Sequence, residues 1–229
     1  MMASADATIT ELQRLERSEW PAYLAEHSGL PGPRANLTLV ETVARLADAL
    51  TIDELVRSGG EYPLMCAAAA LGRRADDPES ESRAHDLASG EHWRVREGVA
   101  IGLQLLGDVA PAALSSIVLR WADDPDPWVQ RAAAAAICEP RLLRTPEAAA
   151  IAIEVCRRAT RHLAALTGER RTQPDARKLR QALGYCWSVA IAADPDPGLA
   201  AFTELDTTDP DIAWIVTQNG RKKRLSALL

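Results

Sequence analysis

The segment DPDPWVQRAAAAAI at residues 124–137 joins a turn signal to an alanine-rich helix. Asp126 is suited to the N-cap, because its carboxylate can accept hydrogen bonds from amide groups left unpaired in the first turn. Pro127 then occupies the first helical position, where its missing N–H does no harm. Apolar residues follow at helical spacing: Val129, Ala132, Ala133, Ala136 and Ile137. The segment therefore predicts a capped helix with one apolar face.

This pattern recurs along the chain at a nearly constant interval. Similar helices are predicted at residues 61–72, 91–103, 175–190 and 209–220. Their equivalent apolar positions, separated by 31, 34, 50 and 33 residues, are Leu64, Val95, Val129, Leu179 and Ile212. An interval just above about 30 residues accommodates two helices and two turns, so a stack of helix pairs is expected. The long interval indicates an arginine-rich insertion at about residues 157–175.

The first helices of these pairs can also be traced. LTLVETVARLADAL at residues 37–50 places its apolar residues on one side of a helix, and the proline-initiated segments 111–122 and 146–159 are amphipathic in the same way. Residues 1–36 predict a capping helix followed by a Gly/Pro turn. Residues 37–229 are expected to carry the repeats, so that the whole chain forms a single domain.

The order of features in this segment resembles the HEAT-repeat signature: an Asp-Pro turn, an apolar residue, an arginine and an alanine-rich helix. The resemblance covers about residues 37–225. It implies an all-α fold, a HEAT-like α-solenoid in which antiparallel helix pairs stack into a right-handed superhelix. In such repeats the second helices line the concave surface. The resemblance says little about chemistry, because one fold can serve many functions.

Composition narrows the class of protein. The chain is 47% hydrophobic and 25% charged, which is typical of a soluble globular protein. Its net charge of −6 excludes a uniformly basic nucleic-acid coat but permits a local basic face. No apolar run approaches the roughly 18 residues that a membrane span needs, and the first residues lack the apolar core of a signal peptide. We therefore expect a cytoplasmic protein without membrane contact.

The metal-ligating residue types are scattered. The four cysteines and four histidines are Cys66, Cys138, Cys156, Cys186, His27, His85, His92 and His162. Neither set has the spacing of a zinc site, so buried reduced thiols are expected, and neither a metal nor a cofactor is predicted.

Charge is distributed unevenly along the chain. Residues 1–90 hold 15 acidic residues against eight arginines and no lysine, whereas residues 157–180 are rich in arginine. A second basic cluster lies near the C-terminus. The candidate binding cations in the two clusters are Arg177, Lys178, Arg180, Arg221, Lys222, Lys223 and Arg224. Stacked repeats would bring both clusters to one end, where they could bind phosphates. Two other interpretations stay open: helix-dipole stabilisation by the terminal cations and a solvated arginine-rich loop.

Four residues resemble the site of the HEAT-like DNA alkylation repair glycosylases: Trp93, Glu97, Arg131 and Trp187. That resemblance implies that the indoles stack on a base and that Glu97 stabilises an oxocarbenium-like transition state. Arg131 would hold phosphate. The chain departs from the family at Glu97, where the family has aspartate, and in its acidic overall charge. An alternative interpretation makes Trp93 a packing residue and Glu97 a surface partner of a neighbouring arginine.

We therefore expect a non-enzymatic scaffold whose concave surface binds a protein partner. The residues expected to line that surface are Trp93, Arg96, Glu97, Trp128, Arg131, Arg180 and Trp187. The alternative is a DNA-binding protein of the alkylation-repair type, extending to a DNA glycosylase. Whether the chain is an enzyme at all is left open by the sequence.

Overall fold

The computed structural model describes residues 5–228. Over this range the chain forms fifteen α-helices, two short 3-10 helices at Arg17–Glu19 and Pro140–Leu142, and no strand, so the predicted all-α solenoid is confirmed. The α-helices are α1 Ala5–Arg14, α2 Trp20–His27, α3 Leu37–Leu46, α4 Ala49–Ser58, α5 Glu61–Arg73, α6 Pro78–Ala88, α7 Trp93–Gly107, α8 Pro111–Ala122, α9 Pro127–Ile137, α10 Pro146–Ala165, α11 Gly168–Arg171, α12 Pro174–Ala193, α13 Pro195–Thr203, α14 Pro210–Gly220 and α15 Lys223–Ser226.

The helices belong to two compact units, Met1–Leu106 and Gly107–Leu229. In the first unit α5 is the central helix, and α2, α3, α4 and α6 pack against it. The helix is buried on all sides from Met65 to Gly72, and the four central residues, Ala67 to Ala70, are small. Small side chains of this kind allow neighbouring helices to approach closely.

Glycines bring α7 almost into backbone contact with α5. A Cβ atom added at Gly102 would lie 2.3 Å from the carbonyl oxygen of Ala69, and one added at Gly98 would lie 2.4 Å from that of Met65. These distances are far below van der Waals contact, so only glycine fits at the two positions.

The predicted caps are present at the Asp-Pro turns. Asp126 Oδ1 accepts a hydrogen bond of 2.8 Å from the backbone N–H of Trp128, which confirms its predicted role. Asp77 caps α6 and Asp209 caps α14 in the same manner, each followed by proline at the start of the helix. The orphan amide groups of these helices are thereby satisfied by the local sequence.

One predicted helix is divided in two. The segment at residues 37–50 forms α3 only as far as Leu46, since the backbone of Ala47 is extended. Asp48 then caps α4, accepting hydrogen bonds from the backbone N–H of Thr51 at 2.8 Å and from its hydroxyl at 2.6 Å. The break between the helices is therefore stabilised by a second Asp cap.

In the second unit α12 is the central helix, packed against α9, α10, α13, α14 and α15. The arginine-rich stretch at residues 157–175 is largely helical rather than a loop, because α10 continues to Ala165 and the short α11 follows. All four cysteines of the chain are buried free thiols, and Cys138 and Cys156 lie 3.7 Å apart between their sulfur atoms.

Candidate binding surface

Two of the predicted site residues, Trp93 and Glu97, lie near the start of α7. Trp93 is 54% exposed, and the guanidinium of its neighbour Arg94 lies 4.6 Å from the centre of the indole. Arg94 also forms a salt bridge of 3.1 Å with Glu61. Glu97 is half-buried one helical turn after Trp93. An exposed aromatic ring and a carboxylate therefore share one face of this helix.

Arg96 has a structural position rather than a surface one. It is only 7% exposed, and its Nη1 donates hydrogen bonds to the backbone carbonyls of Gly90 and Glu91, the latter at 2.8 Å. These carbonyls belong to the turn that precedes α7. The guanidinium thus holds that turn in place, and the contacts give no support to its predicted binding role.

The other members of the glycosylase-like set lie in the second unit. Trp187 is fully buried, its indole N–H donates to Thr160 Oγ1 at 3.0 Å, and its ring packs 5.5 Å from that of Phe202. Such a residue has no open face on which a base could stack. Arg131 and Trp128 are half-buried on α9.

Most cations of the 157–180 cluster are already neutralised by carboxylates. Arg180 bonds Asp211 at 2.6 Å and lies 4.6 Å over the ring of Trp214, so it ties α12 to α14. Arg171 pairs with Asp209 at 2.6 Å. Further pairs join Arg157 to Glu154, Arg158 to Asp123 and to Glu154, and Arg170 to Asp175. These arginines stabilise the fold and are poorly suited to bind a partner.

Hydrogen bonds from the arginines lower the pKa of two carboxylates in these pairs, Glu154 and Asp175. The hydrogen bond from Arg157, followed by that from Arg158, holds the pKa of Glu154 below its ordinary value, despite partial desolvation. The hydrogen bond from Arg170 does the same for the pKa of Asp175. Both groups therefore stay charged and paired at neutral pH.

Six cations remain without such partners. Within residues 5–228, no carboxylate forms an ion pair with Arg177, Lys178, Arg221, Lys222, Lys223 or Arg224. Together with the exposed Tyr185 they form what we name the basic C-terminal surface. It is carried by α12 and the C-terminal segment, both in the second unit.

Tyr185 connects the two parts of this surface. Arg224 donates a hydrogen bond of 3.0 Å to its hydroxyl and lies 4.8 Å from the ring centre, while the Lys222 ammonium lies 5.7 Å away. Lys178 is seven residues earlier on the same face of α12. The short helix α15 packs against α12 and α14, and its Leu225 is buried. The C-terminal segment thus places two cations against the α12 face that also carries Lys178.

Of the predicted cations, those at residues 177, 178, 221, 223 and 224 are exposed and Lys222 is half-buried, and none of the six forms an ion pair with a carboxylate of the described residues. Tyr185 was not among the predicted residues. The sequence could have indicated it, because its spacing from Lys178 places both residues on one helix face. Its contacts with Lys222 and Arg224, however, depend on tertiary packing. Cations held together without counter-charges repel one another, so an anionic ligand would relieve that repulsion.

Other site types find no support in the described part of the chain. No group of three or more histidine, cysteine, aspartate or glutamate side chains there has the arrangement of a metal site. Nor does any described helix have the length and apolar character needed to cross a membrane.

Comparison with known proteins finds one family similar to part of the chain. Residues 50–138 match the family of HEAT repeats. The crystal structure of an engineered protein is similar with a TM-score of 0.39 and 18% sequence identity, covering 95% of this chain and 97% of that one. No curated protein matches the chain. Nothing in these comparisons supports the resemblance to DNA alkylation repair glycosylases. Residues 50–138 of the chain are thus similar to HEAT repeats.

Proposed function

We propose that the protein is a non-enzymatic binding scaffold and that its basic C-terminal surface binds an acidic segment of a protein partner. The observation that carries this proposal is the group of six cations without ion-pair partners among residues 5–228, two of which, Lys222 and Arg224, lie against the 43% exposed ring of Tyr185. Helical repeats suit such work, because their surfaces vary without loss of the core.

The binding surface differs from the predicted concave set. Arg96 and Trp187 are buried, and Arg180 is paired with Asp211, so three of the expected lining residues are engaged within the protein. We therefore assign the binding role to the cations of α12 and the C-terminal segment instead of to that set.

An acidic protein segment fits this surface better than DNA. Lys222 and Arg224 already lie against the Tyr185 ring, so a base that stacked there would have to compete with two cations. Duplex DNA is a long polyanion that needs an extended basic footprint. The chain as a whole carries a net charge of −6, which opposes such an association beyond the local surface.

Fluorescence anisotropy tests the proposal with a fluorescein-labelled oligoglutamate peptide of about ten residues, titrated at about 50 and 200 mM salt. We expect binding to the intact chain that weakens as salt rises. The triple variant Lys178→Glu, Lys222→Glu, Arg224→Glu should weaken binding at least about tenfold, since each reversal replaces attraction by repulsion. The matched control reverses two exposed cations elsewhere, Arg34 and Arg144, and should bind like the wild type.

The same titration with a labelled DNA duplex separates the two partner classes. Tighter binding to the duplex than to the peptide, lost in the triple variant, would replace the protein partner by nucleic acid. No binding of either probe at low salt would overturn the role of the surface altogether.

A further inference from the structure

The hydroxyl group of Tyr185 keeps an unused hydrogen-bond donor at the basic C-terminal surface. Its oxygen accepts a hydrogen bond of 3.0 Å from Arg224 Nη2, and within residues 5–228 its own O–H has no acceptor. A phenol carries a donor hydrogen besides its acceptor lone pairs, so accepting from Arg224 leaves that hydrogen unused. The residue is 43% exposed, so a ligand at the surface can accept this hydrogen.

Arg224 places further donors beside this hydroxyl. Its guanidinium carries several N–H groups, and the bond to Tyr185 is the one hydrogen bond that this side chain makes within the described range. Since Nη2 is 3.0 Å from the phenol oxygen, an anion that accepts the phenol hydrogen also meets the guanidinium. Hydrogen bonds between ionised groups are roughly twice as strong as neutral ones.

A second positive charge lies against the same ring. The Lys222 ammonium is 5.7 Å from the centre of the Tyr185 ring, and the Arg224 guanidinium is 4.8 Å from it. Neither cation forms an ion pair with a carboxylate among the described residues. Two like charges beside one ring repel each other in the unbound protein. The ligand group that stabilises this pair most therefore carries two negative charges.

The preceding turn of α12 adds no free acceptor that would oppose an anion. Gln181 is exposed one turn before Tyr185, and its Oε1 accepts a hydrogen bond of 3.1 Å from Lys178 Nζ. This bond occupies the amide oxygen, whereas the amide nitrogen can still donate. The polar side chains at this face are thus donors towards a ligand.

We infer that the acidic segment of the partner is phosphorylated and that its phosphomonoester group binds at Tyr185, Arg224 and Lys222. The inference rests on the proposed function, because it names the group within the acidic segment that these residues recognise. A phosphomonoester carries about −1.5 to −2 charges at neutral pH and has three strong acceptor oxygens. It matches both cations and the phenol donor, whereas a side-chain carboxylate has a single charge and one oxygen fewer.

Fluorescence anisotropy with two labelled peptides of matched charge tests the inference on the full chain. The first is an oligoglutamate peptide of about ten residues with phosphoserine at one central position, and in the second two glutamates replace that phosphoserine, so that the net charges are about equal. At about 150 mM salt we expect the phosphopeptide to bind at least about tenfold more tightly. A preference at equal charge would show recognition of the phosphate group itself.

Variants assign the preference to residues through the ratio of the two affinities. Tyr185→Phe keeps the ring and removes the O–H, and Arg224→Ala removes the guanidinium, so each should lower that ratio at least about fivefold. Arg177→Ala is the matched control, since it removes an exposed cation of the same surface about two turns before Tyr185. It should weaken both peptides alike and leave the ratio unchanged. Melting curves by circular dichroism show that each variant is folded before titration.

Equal affinities for the two peptides would overturn this inference and leave the proposed function intact, because that function requires only the salt-dependent binding of oligoglutamate. An unchanged ratio in both Tyr185→Phe and Arg224→Ala would overturn the assignment to these residues. Binding to phosphatidylcholine vesicles that contain phosphatidic acid, without binding of the phosphopeptide, would assign the surface to a membrane instead. Absence of binding of either peptide at low salt would overturn the inference together with the proposed function.

Discussion

The indole N–H of Trp187 donates a hydrogen bond of 3.0 Å to the hydroxyl oxygen of Thr160, and both side chains are buried between α12 and α10. The bond satisfies the one polar atom of a tryptophan that is otherwise in the core. It explains why this ring can be fully buried, and it gives Trp187 a structural role in place of the predicted stacking role.

Replacing Thr160 by valine tests the importance of this bond. The change keeps the shape of the side chain but leaves the indole N–H without an acceptor, so the free energy of unfolding should fall by about 1–3 kcal/mol. Urea unfolding followed by circular dichroism measures the loss. Thr217→Val, at an exposed position of α14, is the matched control and should change stability little; equal losses in both variants would contradict the argument.

Gly102→Ala should destabilise the first unit. The added Cβ would lie 2.3 Å from the carbonyl oxygen of Ala69, so α5 and α7 would have to separate, at a cost of about 1–3 kcal/mol or more. Thermal unfolding gives the shift in melting temperature. At Gly220 nothing lies within 4 Å of an added Cβ, and Gly220→Ala should be close to neutral. A wild-type melting temperature for Gly102→Ala would show that the two helices are farther apart.

The side chain of Asn219 forms a buried polar contact between α14 and α12. Its Oδ1 accepts the backbone N–H of Ser188 at 2.8 Å, and its Nδ2 donates to the carbonyls of Leu183 and Ile215. Asn219→Ala removes all three bonds inside the core, so a loss of about 2–4 kcal/mol is expected in urea unfolding. Gln173→Ala, at an exposed position, provides the control. A comparable loss of stability in that variant would show that the buried amide of Asn219 contributes no more than an exposed one.

Acid should weaken the cap of α4. The hydrogen bond from the Thr51 hydroxyl, followed by that from Arg17, lowers the pKa of Asp48 to about 2. Because the folded-state pKa is below the unfolded value of about 3.9, the contribution of Asp48 to stability is complete above that value and is lost as pH falls towards 2. Asp48→Asn keeps a capping oxygen without the charge.

Stability measured between about pH 5 and pH 2 should therefore fall less steeply for Asp48→Asn than for the wild type. Glu169→Gln changes an exposed carboxylate elsewhere and serves as the control, with the slope of the wild type expected. Identical slopes for all three proteins would mean that Asp48 titrates normally in the folded chain.

The parts of the fold that the sequence predicts are those set by local rules. The cap at Asp126 and the apolar face that follows it depend on residues within one helix, and both are present. The end of α3 at Leu46 was missed, although Asp48 followed by Thr51 has the spacing of a cap. There the continuing apolar pattern favoured one long helix.

The candidate site was only partly predictable, because exposure depends on which helix face packs inward. Tyr185 and Trp187 are two residues apart and thus about 200° apart around α12. The first is exposed beside Lys222 and the second is fully buried against Phe202. No feature of residues 185–187 alone tells which of the two faces solvent. That choice is made by α10 and α13, whose residues Thr160 and Phe202 contact Trp187.

The glycine contacts between α5 and α7 also restrict how the protein can evolve. At Gly98 and Gly102 the two backbones touch, so no larger residue can be introduced without moving a helix. Exposed positions such as Lys178 and Tyr185 carry no such restriction. Substitutions that create a new binding surface are therefore expected on the outer faces, whereas the contact between α5 and α7 is expected to tolerate very few.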